Sequence, residues 1–214
     1  MRAYASWPGA LATRRALRKA GWGVLTSPII MAQNGWLPPR WADKSFASPY
    51  VLDNGAWNAY TQSRPFDSVG FRKALSRAGE GAEWTVVPDI VAGGLKSLDM
   101  SLSWLDEVKA YGMCLLAVQD GIEPHHVEPY LGPDVGIAIG GSTEWKVSRA
   151  RDWGILAKQT NCYLHVLRVN TKKRIKLCHY IGADSFDGSS VARFPCNLNF
   201  LNYWTNQPFL FSGV

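Results

Sequence analysis

Cysteine is scarce in this chain of 214 residues, and nowhere paired at short range. Cys114, Cys162, Cys178 and Cys196 lie 48, 16 and 18 positions apart, with no CxxC spacing. That excludes a zinc knuckle and a dithiol redox motif as readings, and all four cysteines read as small structural residues. Long apolar runs are also missing. The uninterrupted ones are a few residues long, against the ~20 that a membrane-spanning helix needs. The first residues, Met1-Arg2-Ala3-Tyr4-Ala5-Ser6, lack the apolar stretch of a signal peptide, so a cytoplasmic protein is the expectation. No repeat, low-complexity tract or linker divides the sequence, and residues 1–214 read as one domain with a full-sized core. The adjacent His125-His126 reads as a loop or helix start rather than a metal pair, and no metal or cofactor is expected.

Acidic residues are outnumbered. Seventeen Asp and Glu against 23 Lys and Arg leave a net charge of +6. The excess is clustered at Arg14, Arg15, Arg18 and Lys19, at Lys146, Arg149 and Arg151, and at Lys172, Lys173, Arg174 and Lys176. Each cluster alone fits a solvated helix face. Three of them in a chain only 19% charged also fit a nucleic-acid surface, where neutralising phosphates releases counterions. Ten tryptophans suit either base stacking or core and rim packing.

Apolar runs alternate with helical patterns along the chain. Strands are predicted at 3–5, 23–26, 50–52, 84–87, 113–118, 135–139, 163–169 and 183–186. Helices are predicted at 8–20 (capped by Ser6, with Pro8 in the first turn), 68–78, 95–111, 145–160 and 172–180. Between the second and third strands, Pro28, Asn34-Gly35 and Pro38-Pro39 predict a long loop. Alternation with about eight strands favours a compact α/β fold, a closed (β/α)8 TIM-type barrel.

Polar residues recur just past the strand ends. Asp53 follows the third strand, Asp89 the fourth, Gln119 the fifth, Gly140-Gly141 the sixth, and Asp187 the eighth. In a βα barrel such positions gather at one mouth, where polar side chains read as catalytic. Two carboxylates facing each other there can divide the labour of double displacement at an anomeric carbon. Gln119, an Asp and a glycine-exposed backbone suit the polar edge of a planar heterocycle, and Trp57 suits its face. Asp53-Asn54-Gly55 also fits an ordinary turn, and Asp120-Gly121 reads better as one.

Taken in order, these segments resemble the queuine/archaeosine tRNA-guanine transglycosylase superfamily, (β/α)8 barrels that exchange guanine for a 7-deazaguanine base. Leu52-Asp53-Asn54-Gly55-Ala56-Trp57 is similar to the family's Asp-Ser-Gly-Gly-aromatic segment, with Ala56 in place of one glycine. Val118-Gln119-Asp120-Gly121 resembles its Val-Gln-Gly-Gly, and Ile139-Gly140-Gly141 its Ile-Gly-Gly. Val166-Leu167-Arg168-Val169-Asn170-Thr171 resembles its Leu-Met-Gly-Val-Gly-Thr, with Arg168 and Asn170 replacing glycines. Asp184-Ser185-Phe186-Asp187 with Arg193 resembles its Asp-x-Phe-Asp and following Arg.

The resemblance implies Asp187 as nucleophile and Asp53 as general acid/base. It also implies Asp89, Gln119, Gly140, Gly141, Trp57 and Leu167 around the base, and Arg193 on the nucleic-acid backbone. The basic stretch Lys172, Lys173 and Arg174 joins Arg193 as a backbone candidate. The tRNA enzymes carry three clustered cysteines and a histidine after the nucleophile; here only Cys196 follows Asp187. The chain is also much shorter than those enzymes. Both departures point to the compact, phage-type DNA 7-deazaguanine transglycosylase branch, with DNA and a free base such as preQ0 as partners, in the host cytoplasm if phage-encoded. A tRNA substrate, a hydrolytic glycosylase and a non-catalytic nucleic-acid-binding barrel are the alternatives.

Overall fold

The computed structural model describes residues 1–38 and 49–207. Eight parallel strands close into a barrel in chain order: β1 (Arg2–Ser6), β2 (Gly23–Thr26), β3 (Tyr50–Leu52), β4 (Thr85–Val86), β5 (Cys114–Val118), β6 (Val135–Ile139), β7 (Leu164–Val166) and β8 (Ser185–Gly188). The ring closes where β1 pairs with β8, Tyr4 standing opposite Asp187. Among the described residues the α-helices are α1 (Leu11–Lys19), α2 (Pro28–Gln33), α3 (Ala56–Thr61), α4 (Ser68–Ala78), α5 (Leu95–Lys109), α6 (Pro124–Val127), α7 (Thr143–Thr160), α8 (Lys172–Tyr180), α9 (Ser190–Arg193) and α10 (Asn197–Thr205). The protein is a compact (β/α)8 TIM-type barrel.

Alternation along each strand sorts side chains into two cores. Outward residues such as Ala3, Ala5, Leu52, Leu116 and Phe186 pack under the helices. Inward residues, among them Tyr4, Leu25, Val51, Trp84, Val86, Leu115 and Ala138, fill the barrel. Tyr4 and Trp84 meet edge to face at 5.5 Å, and Trp84 lies 4.4 Å from the ring of His165. These rings plug the barrel, so chemistry is confined to the mouth above them.

Several elements depart from the sequence expectation. Helix α1 starts at Leu11; Ser6 belongs to β1 and Ala10 is the cap, without a side-chain bond. The segment expected as a loop after β2 opens with α2, in which Pro28 takes the first turn, a position that needs no N–H donor. Pro39, in the same expected loop, lies outside the described residues. Helix α3 follows Gly55 directly, and α9 and α10 follow β8; none was expected. His126 lies in α6 and its Nδ1 accepts from the Glu123 N–H, as a helix start requires. Cys114, Cys162 and Cys178 are buried, but Cys196 is exposed, so the structural reading fails for that one.

The eighth strand matters most. It runs through Gly188 rather than stopping at Phe186, so Asp187 sits within the strand and points inward. The inward residues of this strand, Ser185 and Asp187, are polar and break the apolar pattern that marks a strand in sequence, so the strand runs two residues past its expected end.

Candidate active site

Asp53 is the first residue past β3. Its N–H donates to the Thr26 carbonyl at 2.8 Å, and its Oδ2 accepts from the Gly55 N–H at 3.1 Å. That turn needs Gly55 in the left-handed region, φ 85°, where a side chain would be strained. Asn54 ties the third and fourth strand ends together. Its Nδ2 donates to the Val87 carbonyl and to Asp89 Oδ1, both at 2.8 Å, while its Oδ1 accepts from the Ala56 N–H at 2.8 Å. Asp89 is thereby oriented by a neighbour that sequence reading treated as part of a turn.

Asp187 is held from one side only. Its Oδ1 accepts from the Arg168 backbone N–H at 3.1 Å and lies 3.2 Å from His165 Nε2. Among the described residues nothing donates to Oδ2, and that oxygen remains available. The residue is nearly buried, at 7% exposure.

The three carboxylates share one low-dielectric space. Burial raises Asp53 to about 7; the Gly55 N–H opposes this, while the charges of Asp187 and Asp89 push the same way. Burial also raises Asp89, opposed by the Asn54 amide and the Arg168 guanidinium. At neutral pH Asp53 therefore moves readily between acid and base.

Cations balance this cluster. Arg168 is half-buried, with its guanidinium 4.4 Å over the Trp57 ring and donating to the Gly141 carbonyl. Its own backbone has φ 61°, a conformation that L residues adopt at a cost. Lys146, 4% exposed in the first turn of α7, donates to the Leu167 carbonyl. Burial lowers Lys146 to about 7, helped by Arg168 and Arg174 and opposed by Asp187. Neither Lys146 nor His165 stood out in sequence: one was counted in a basic cluster, the other lay inside an apolar run.

The remaining expected residues divide. Gly140 and Leu167 come together, since a Cβ on Gly140 would sit 3.5 Å from Leu167 Cδ1. Gly141 has no room for a side chain, because a Cβ would lie 2.6 Å from Asp120 Oδ2 and 2.8 Å from the Trp145 ring. Asp120 itself accepts from the Ser142 N–H and hydroxyl at the start of α7, both at 2.7 Å, a structural role. Trp57 is exposed at the mouth, 44% accessible.

Gln119, expected to read a base, is turned elsewhere. Its Nε2 donates to the Ile90 carbonyl at 2.8 Å and to Ser97 Oγ at 2.7 Å, and its Oε1 accepts from the Ala92 N–H at 2.7 Å. It organises the loop after β4 instead. Arg174, expected on a phosphate, donates to the Arg168 carbonyl at 3.1 Å and to Thr143 Oγ1 at 3.0 Å, so it braces the mouth. Lys172 lies 3.7 Å over the Trp204 ring, and Lys173 and Arg193 are exposed. Among the described residues, no group of three His, Cys, Asp or Glu side chains is arranged to hold a metal ion. No described helix is long and apolar enough to cross a membrane.

The fold and the position of these groups define a TIM-type barrel with an acidic mouth. No family model matches the sequence, and no curated protein matches it. Among solved structures the chain is similar to an HpcH/HpaI aldolase from Desulfitobacterium hafniense DCB-2, at a TM-score of 0.54 and 10% identity. The match covers 98% of this chain and 95% of that one. At that identity the likeness speaks for the barrel alone.

Proposed function

We propose that this barrel is a transglycosylase that exchanges guanine in DNA for a 7-deazaguanine base. One observation carries the reading: Asp187 is anchored through Oδ1 with Oδ2 left open, beside an Asp53 poised near neutrality. An anchored carboxylate with one free oxygen suits attack on a sugar carbon, and an acid that titrates near pH 7 suits proton transfer in both directions.

The target guanine leaves the base stack, because its C1′ is out of reach within a duplex. A lone pair on Asp187 Oδ2 attacks C1′, the C1′–N9 bond breaks, and its electron pair stays with guanine, which takes the proton of Asp53. After guanine leaves, the incoming base gives its N9 proton to the Asp53 carboxylate. N9 then attacks C1′ and the ester bond breaks, returning its electron pair to Asp187. Two inversions give net retention. Asp89, held by Asn54, supplies an acceptor for the base's polar edge, and Trp57 an aromatic face.

DNA is taken as the substrate, with tRNA as the alternative that the test must separate. The exposed Lys173 and Arg193 fit a phosphate backbone. The test is incubation of the protein with labelled preQ0 and either DNA or tRNA, followed by digestion to nucleosides. A labelled deoxynucleoside is expected, and Asp187→Asn should abolish it. Label confined to tRNA, abasic sites without label, or full exchange by Asp187→Asn would each overturn the proposal.

A further inference from the structure

We infer that His165 is a positioning residue for Asp187, a neutral imidazole that holds the carboxylate and favours its release from the covalent intermediate. This rests on the reading of Asp187 as nucleophile. His165 lies in the middle of β7 with no exposed surface. Its Nδ1 is 2.7 Å from Ser185 Oγ, and its Nε2 is 3.2 Å from Asp187 Oδ1. Ser185 is two residues before Asp187 on β8, so alternation turns both inward against the same ring.

The contacts settle the tautomer. A carboxylate oxygen only accepts, so Nε2 must carry the proton; Nδ1 then accepts, and the Ser185 hydroxyl donates to it. The surroundings disfavour the charged form. The ring is packed against Trp84 at 4.4 Å and Tyr4 at 6.2 Å. The titratable groups facing it are Asp187 and Tyr4, with Lys146 contributing a repulsive charge from α7. Burial lowers its basicity, Asp187 opposes, and Lys146 adds to the lowering. A neutral ring beneath the nucleophile follows.

The consequence lies in the second half of the reaction. A hydrogen bond to a carboxylate is stronger than one to an ester carbonyl. The Nε2–H donor therefore stabilises Asp187 as free carboxylate more than as glycosyl ester. Removing it shifts the balance toward the ester and slows the step in which the C1′–O bond breaks and its pair returns to Asp187. Formation of the ester is affected less, because charge is leaving the carboxylate in that step.

The test uses the full chain with a guanine-containing oligodeoxynucleotide, trapping protein–DNA adduct by denaturation before and after addition of preQ0. His165→Phe should accumulate adduct and slow its discharge on the order of 10- to 100-fold, the range for a lost hydrogen bond to a charged group. His165→Gln, whose amide nitrogen can reach the position of Nε2, should restore discharge. Adduct falling in step with turnover in His165→Phe, or Gln no better than Phe, would overturn the inference. If the wild-type chain forms neither adduct nor exchanged base, the transglycosylase reading itself has failed. A readout independent of activity covers that case and a misfolded variant alike: long-range ¹H–¹⁵N spectra of the wild-type protein. A neutral Nε2–H tautomer at pH 7 is expected, and an imidazolium or an Nδ1–H tautomer overturns the inference.

Discussion

The guanidinium of Arg168 lies 4.4 Å over the indole of Trp57, on a residue whose own backbone is left-handed at φ 61°. The side chain covers an aromatic face at the mouth, while the backbone N–H beneath it holds Asp187. Strain and function thus meet at one position. Arg168→Gly and Arg168→Ala both remove the guanidinium, but only glycine relaxes the backbone. The glycine variant should be the more stable of the two by about 1 kcal/mol, a few degrees in melting temperature. Equal melting temperatures would contradict the left-handed geometry.

Asp53 makes a prediction about stability that needs no substrate. Its carboxyl is near 3.8 unfolded and about 7 folded, so between those values the folded state binds the extra proton. Stability contributed at this site therefore falls as pH rises through that window, and above 7 the buried charge is a full penalty. A rise of this size corresponds to roughly 4 kcal/mol. Asp53→Asn removes the charge while keeping an acceptor for the Gly55 N–H. Its gain over wild type, measured by denaturant unfolding, should be small at pH 4 and largest at pH 8. Lys146 titrates in both proteins and cancels in the difference. A gain independent of pH would show that Asp53 is not held in this state.

Gln119 separates a reader of bases from a builder of loops. Three hydrogen bonds join its amide to Ile90, Ala92 and Ser97. Gln119→Ala leaves those buried partners unsatisfied and should cost about 2–3 kcal/mol, with the loop after β4 losing protection in hydrogen exchange. Weaker base binding with unchanged stability would instead place Gln119 on the ligand.

These cases show what the sequence made legible. The bounds of β2, β3, β6, α4 and α8 were readable because their apolar spacing is local and uninterrupted. Asp53, Asp89 and Asp187 were readable because polar residues at strand ends converge in any βα barrel. His165 and Lys146 were not, since burial beside a carboxylate depends on barrel closure and leaves no periodic signature. Arg168 was visible only as a replaced glycine; its stacking on Trp57 joins residues 111 positions apart. Gln119 and Arg174 misled for the same reason, their polar groups being met by partners distant in sequence.

The basic residues near the mouth divide into two kinds, and salt tells them apart. Lys173 and Arg193 are exposed, whereas Arg174 is bonded to the Arg168 carbonyl and to Thr143. A side chain that neutralises a phosphate releases counterions, and its loss lowers the slope of log affinity against log salt by about 0.7–0.9. Lys173→Ala and Arg193→Ala should each reduce the slope for DNA binding by roughly that amount, with base exchange at saturating DNA preserved. Arg174→Ala should leave the slope nearly unchanged and instead impair exchange, because it frees the loop that carries the Asp187 anchor. A slope lowered equally by all three would place Arg174 on the DNA and remove its bracing role.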